Sequence, residues 1–248
     1  MRDDLGADVP LSVPATRVVS LVPSLTEALA ATSPSTLVGA TDWCTHPADL
    51  SVSRVRGTKN PDLAAIRALC PDLVIANQEE NRELDVRRLR EAGAPVWVTR
   101  IETVAQSLES MSRLFSTALG LADPPWLVTA RALWSTPLAP RFTVAVPIWR
   151  DPWMVVGSPT YTDDILRCAG LVNVLADGSA GRYPSVDLAL LDGAGADVVL
   201  LPDEPYVFTV DDGPEAFTTP TRLVSGRLLT WYGPAMVEAH ELLTTLQP

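Results

Sequence analysis

Between residues 17 and 99 short β-branched runs alternate with amphipathic stretches, and that alternation leaves few architectures open. It is the pattern of a parallel sheet covered by helices. Strands are expected at 17–22, 37–41, 72–76 and 95–99, with helices at 24–31, 61–69 and 82–92, the last ended by Gly93. From residue 101 to about 134 the period turns helical, with Val104, Leu108, Met111, Leu114, Phe115, Ala118 and Leu119 on one stripe until Pro124-Pro125 breaks or kinks it. A second α/β series follows, with strands near 142–146, 154–156, 198–201 and 222–224 and helices at 161–168, 185–191 and 233–246. The expected organisation is an N-terminal extension (1–16), an N-terminal α/β lobe (17–100), a linking helical segment (101–136) and a C-terminal α/β lobe (137–248).

An internal repeat supports two lobes. Asp62-Leu-Ala-Ala-Ile-Arg-Ala-Leu-Cys-Pro-Asp72-Leu-Val-Ile resembles Asp187-Leu-Ala-Leu-Leu-Asp-Gly-Ala-Gly-Ala-Asp197-Val-Val-Leu, each a short helix feeding a buried strand. Pro23-Ser-Leu-Thr-Glu27 resembles Pro159-Thr-Tyr-Thr-Asp163, and both have the form of a capping box in which Ser24 or Thr160 accepts from the first-turn amides. Paired helix N-termini of this kind either cap their helices or offer donors to a ligand.

Charge excludes two partner classes. Nineteen Lys and Arg stand against 30 Asp and Glu, a net charge of −11, and no basic run gathers the cations into a patch for nucleic acid or an anionic bilayer. No apolar stretch is long enough to span a membrane. The N-terminus is acidic where a secretory signal is basic, so a cytoplasmic location is expected. Three widely spaced cysteines, Cys44, Cys70 and Cys168, fit a reducing compartment.

Catalytic signatures are scarce: there is no nucleophile elbow, no phosphate-cradling glycine loop and no His-Glu-x-x-His. Two histidines, His46 and His240, are too few for a bare zinc site, and no resident cofactor is required. Asp42-Trp-Cys-Thr-His46 is the exception, since it sets a thiol, an imidazole and a carboxylate on one loop. Cys44 and His46 are thus weak metal candidates, and the pair that an enzyme would use; a ligand-contacting or structural loop is the other reading.

The aromatics say more. Seven Trp are present, and several fall where strands should end, the edge at which open α/β folds bind ligands. Trp43 follows the second strand, Trp149 and Trp153 flank Arg150-Asp151-Pro152, Tyr183 precedes Pro184, and Trp231-Tyr232 opens the last helix. Such rings would stack on a flat or bulky ligand or else pack a lobe core; Trp97, Trp126 and Trp134 sit inside elements and read as structural. Asn77, Glu79, Arg100, Arg150 and Glu204 are polar groups at the same strand ends, and Arg150 between two indoles suits a ligand carboxylate or phosphate.

Arg-Val-Val-Ser-Leu-Val-Pro-Ser-Leu-Thr-Glu at 17–27, Leu-Val-Gly-Ala-Thr-Asp-Trp at 37–43 and Ala-Ile-Arg-Ala-Leu-Cys-Pro-Asp-Leu-Val-Ile-Ala at 65–76 together resemble the cobalamin and iron-siderophore periplasmic binding proteins, the helical-backbone metal receptors. Pro-Ile-Trp-Arg-Asp-Pro-Trp-Met at 147–154, Glu-Pro-Tyr-Val-Phe at 204–208 and Thr-Trp-Tyr-Gly at 230–233 resemble its cobalamin-binding branch. The resemblance implies a class III substrate-binding fold: two Rossmann-like α/β lobes joined by a long rigid helix, with the ligand cleft between them. It implies a non-enzymatic protein holding a metal chelate, cobalamin-like by preference, on cleft aromatics that match Trp43, Trp153 and Tyr183, with Asn77 at another position and Trp231 near a fourth. A ferric siderophore or haem-like ligand of an ABC importer is the alternative within the class, and a cytoplasmic enzyme using Cys44 and His46 the alternative outside it. Receptors of this family dock on an ABC permease through one surface glutamate per lobe; Ala64 and Ala189 occupy those positions, a departure from the family pattern.

Overall fold

The β-branched runs of both halves assemble into two parallel sheets, each in its own compact unit. The structure is a computed structural model describing residues 1–11 and 14–248; Ser12 and Val13, inside the expected N-terminal extension, lie outside the described residues. One unit comprises Met1–Ile101, Ala105–Thr129 and Tyr232–Pro234, the other Glu102–Val104, Ala130–Trp231 and Ala235–Pro248.

In the first unit the chain runs β1 (Val18–Ser20), α1 (Pro23–Thr32), β2 (Leu37–Ala40), β3 (Ser53–Arg54), β4 (Arg56–Gly57), β5 (Asn60–Pro61), α2 (Leu63–Ala68), β6 (Leu73–Asn77), α3 (Glu83–Glu91) and β7 (Val96–Thr99). The main sheet has the order β3-β2-β1-β6-β7 with every pairing parallel, and β4 and β5 form a small antiparallel ladder. Val19, Leu21, Val74, Ala76, Val96 and Val98 pack with Ile66, Val86 and Leu89 in one core, which is why the strands read as continuous apolar runs. α3 ends as expected: Gly93 takes φ +84°, and the amide of Ala94 returns to the carbonyl of Leu89 at 3.0 Å.

The helical stretch that follows runs as α4 (Val104–Arg113), continues in a π-helical turn (Leu114–Ala118) and resumes as α5 (Pro125–Leu133). Residues 119–124 interrupt it: Gly120 takes φ +66° while the amide of Leu121 returns to the carbonyl of Phe115 at 2.9 Å, and Pro125 starts the next helix. Its tryptophans are structural: Trp126 donates to Thr32 Oγ1 at 3.0 Å and meets Phe115 edge-on, while Trp134 donates to the carbonyl of Met236 at 2.8 Å.

In the second unit β8 (Phe142–Ala145) leads into the antiparallel hairpin β9 (Pro147–Trp149) and β10 (Met154–Val155). Then come α6 (Tyr161–Cys168), β11 (Leu171–Asn173), α7 (Leu188–Asp192), β12 (Val198–Pro202), β13 (Thr221–Val224), α8 (Gly226–Thr230) and α9 (Ala235–Thr245). The parallel sheet has the order β11-β8-β12-β13. This repeats the order β2-β1-β6-β7 of the first unit.

The repeated aspartates have the same job in both sheets. Asp72, just before β6, accepts from the amide and hydroxyl of Thr16 at 2.8 and 2.9 Å and from the amide of Arg17 at 2.9 Å. Asp197, just before β12, accepts from the amide and hydroxyl of Thr143 at 2.7 and 2.8 Å. Each carboxylate staples its own strand to the central one. The expected capping boxes fare differently. Thr160 caps α6, accepting from the amide of Asp163 at 3.1 Å. Ser24 does not cap: α1 begins one residue earlier at Pro23, whose fixed φ suits a first helical position, so Val22 is the N-cap and Ser24 is already inside the helix.

Candidate functional site

All strands of each main sheet are parallel, so their carboxyl ends share one edge, and the expected site residues lie along these edges. On the first unit, Trp43 follows β2 and is 65% exposed, an unusual placement for an indole. Gly57 makes room for it: a Cβ there would stand 3.3 Å from Trp43 Nε1 and 2.4 Å from Asn60 Oδ1. At the end of β6, Asn77 is 3% exposed and its side chain is committed at both ends. It donates to Thr99 Oγ1 at 3.1 Å and accepts from the amides of Glu79 and Glu80 at 2.8 and 3.3 Å. Asn81 completes the turn, accepting from the amide of Asn77 and donating to the carbonyls of Leu21 and Thr58. Asn77 therefore shapes the loop that carries Glu79. Glu79 is half-buried, and its carbonyl accepts from Lys59. Arg100 is exposed just past β7, with its amide bonded to Asp4 at 3.0 Å. Tyr232 reaches the same edge but is buried; burial pushes its hydroxyl well above the usual tyrosine range, with Glu80 and Glu79 adding to the effect.

Cys44 does not support the catalytic alternative. It is fully buried, with Sγ 3.0 Å from Thr26 Oγ1 and 3.2 Å from Thr41 Oγ1, and burial raises its pKa although both hydroxyls oppose the shift. A nucleophilic thiol needs the opposite environment. His46 is exposed, with its Nδ1 3.2 Å from Thr45 Oγ1. Among the described residues no cluster of three or more His, Cys, Asp or Glu is placed to hold a metal ion.

On the second unit the hairpin β9–β10 carries Trp149 and Trp153 at the two sides of its tip. Trp149 is 43% exposed and meets Tyr206 edge-on, centroids 5.7 Å apart. Trp153 points the other way, into the core: 8% exposed, parallel to Phe208 at 6.0 Å and edge-on to Phe217 at 5.2 Å. The stacking role expected of Trp153 is thus corrected to packing, because three aromatics from the loop after β12 already cover this hairpin. Arg150 is corrected too. Its guanidinium lies over the Trp153 ring at 5.5 Å, and its Nη1 donates to Asp212 and to Glu215, so a ligand anion would compete with two carboxylates already in place. These bonds raise the Arg150 pKa and lower that of Glu215.

Tyr183 is half-buried beside the hairpin, in a segment whose Arg182 and Pro184 carbonyls accept from the amides of Gly157 and Val155. Trp231 is 7% exposed and interacts with Glu204, whose carboxyl is raised by burial. Neither Trp231 nor Tyr232 offers the open ring surface expected of it. Sequence reasoning missed Tyr206, Phe208, Asp212 and Glu215 as members of this surface. The available signal was Glu-Pro-Tyr-Val-Phe at 204–208, which carries part of the family resemblance, with its aromatic alternation at 206 and 208.

No family model matches the sequence. A curated relative, the vitamin B12-binding protein of Vibrio parahaemolyticus, is 26% identical over 195 residues, covering 71% of this chain and 66%, just under two thirds, of its own length. The periplasmic vitamin B12-binding protein of Vibrio cholerae superposes with a TM-score of 0.75 at 19% identity over 94% of this chain and 96% of that one. The fold is that of the periplasmic binding proteins. Two further structures agree. The periplasmic heme-binding protein of Roseiflexus sp. RS-1 gives a TM-score of 0.73 at 19% identity, covering 93% of this chain and 98% of its own. A periplasmic heme-binding protein of Pseudomonas aeruginosa gives 0.75 at 21%, covering 93% and 91%. The resemblance read from the sequence motifs thus holds at the level of the fold. These relatives are binding proteins and not enzymes, and the non-enzymatic reading of this chain stands with them. The expected cytoplasmic location does not stand: all three solved relatives are periplasmic proteins.

Proposed function

We propose that the protein is a non-enzymatic binding protein for a bulky metal chelate, with a corrinoid of the cobalamin type as its preferred ligand. The observation that carries the proposal is the exposure of two indoles, Trp43 just past the parallel strand β2 and Trp149 at the tip of the antiparallel hairpin that follows the parallel strand β8. An exposed ring costs solvation that burial against a ligand recovers, and a flat macrocycle with an apolar face is the ligand that covers an indole best. Glu79 and Arg100 on the first unit and Tyr183 on the second are the polar residues assigned to the ligand. The two vitamin B12-binding relatives are in keeping with the corrinoid reading. Haem is the second reading, favoured by the two heme-binding relatives.

The metal arrives inside its chelate and needs no protein ligand. Delivery to an ABC permease through paired glutamates is not part of the proposal, since Ala64 and Ala189 are exposed in the first turns of α2 and α7 without a carboxylate of their own. Trp43→Ala and Trp149→Ala should each weaken cyanocobalamin binding by roughly tenfold, the worth of a stacked ring of about 1.4 kcal/mol. Affinities unchanged in both variants would remove the rings from the site and the proposal with them.

A further inference from the structure

Arg150 is the cation that sequence reasoning assigns to an anionic ligand, yet its surroundings are acidic. Three carboxylates lie within 4.0 Å of one guanidinium: Asp151, Asp212 and Glu215. Two of the three are themselves held in place. Tyr206 donates from its hydroxyl to Asp212 Oδ2 at 2.6 Å, and the amide of Gly213 donates to Glu215 Oε2 at 2.6 Å. Gly213 adopts φ +126°, a conformation that favours glycine, so the turn presenting Glu215 is built into the backbone. Tyr206 in turn touches Trp149. The carboxylate surplus is therefore coupled through one ring to the exposed indole, and the cation is fixed face-down on Trp153.

We propose that Asp212 and Glu215 are the specificity-determining residues of this surface: by neutralising Arg150 they make it accept neutral or cationic chelates and reject chelates bearing carboxylate arms. The inference rests on the chelate-binding reading above and adds the charge class of the ligand. A free arginine between two indoles would select the opposite class. With one positive and three negative groups at the hairpin tip, an incoming carboxylate meets net repulsion, and it must displace two anchored acids to reach the guanidinium.

The test compares cyanocobalamin with the same corrinoid after hydrolysis of its peripheral amides to carboxylates, so that shape and metal stay constant while charge changes. Calorimetric titration of the wild-type protein should give roughly tenfold weaker binding of the hydrolysed corrinoid, a gap that narrows as salt screens the repulsion. The double variant Asp212→Asn with Glu215→Gln should close the gap by releasing Arg150, read as the ratio of the two affinities within that variant. Equal affinities in the wild type, or a gap indifferent to both salt and the double variant, would overturn the charge inference while leaving chelate binding intact. The salt series needs no variant, so a misfolded double mutant does not shield the proposal. Absence of binding by either corrinoid would overturn the corrinoid reading and this inference together.

Discussion

The Sγ of Cys44 lies 3.0 Å from Oγ1 of Thr26, sealed beneath the loop that presents Trp43 to solvent. The loop that looked most like a reactive site is therefore built on an inert thiol. Burial raises the Cys44 pKa, so little thiolate exists at neutral pH, whereas Cys70 is exposed. In iodoacetamide labelling of the native protein at neutral pH, Cys70 should react at least roughly tenfold faster than Cys44. Faster labelling of Cys44 would revive a catalytic role for it.

Asp72 and Asp197 should behave as equivalent staples. Asp72→Ala removes three hydrogen bonds from the entry to β1 and should cost about 1–2 kcal/mol, a fall in Tm of about 2–8 °C. Asp197→Ala should also lower Tm, through the loss of its bonds to Thr143. An unchanged Tm in both variants, followed by differential scanning calorimetry, would contradict the strand-stapling role.

This staple shows what was legible and what was not. The aspartate repeat was visible because it recurs within one local pattern, helix then buried strand, and the strands were visible because β-branched runs buried on both faces leave a continuous apolar trace. The fates of Trp153 and Arg150 were hidden, since they depend on Phe208, Phe217, Asp212 and Glu215, partners that only the fold brings to the hairpin. A tryptophan at a strand end looks the same in sequence whether the distant loop covers it, as at 153, or leaves it open, as at 149. Ser24 misled for a smaller reason: its capping motif competed with a proline already suited to start the helix.

Asp192 should make stability depend on acid. Bonds from Thr218 and Thr219 bring its pKa to about 2, below the usual carboxylate range. A depressed folded pKa gives stability that is fully present above the unfolded value, near pH 4, and is lost as pH falls toward about 2. Asp192→Asn should therefore lower Tm at neutral pH, and the difference from wild type should shrink on acidification through this window. A difference independent of pH would show that the ionised carboxylate is not what matters.

Gly226 opens α8 against the backbone of Glu204. A Cβ there would stand 2.8 Å from the Glu204 carbonyl oxygen and 2.9 Å from its nitrogen, main-chain atoms that cannot swing aside. Gly226→Ala should destabilise by about 1–3 kcal/mol, read by urea unfolding, and should disturb the neighbouring Trp231 emission. A variant of wild-type stability and emission would contradict this packing.

The central claim is that a protein with this fold and these exposed indoles binds a metal chelate without transforming it. Calorimetric titration of the whole chain with cyanocobalamin tests it most directly. The account predicts saturable one-to-one binding with a Kd of about 1 μM or tighter and the corrinoid recovered unchanged. No saturable heat with cyanocobalamin, cobinamide or haem, or chemical conversion of the bound chelate, would contradict it.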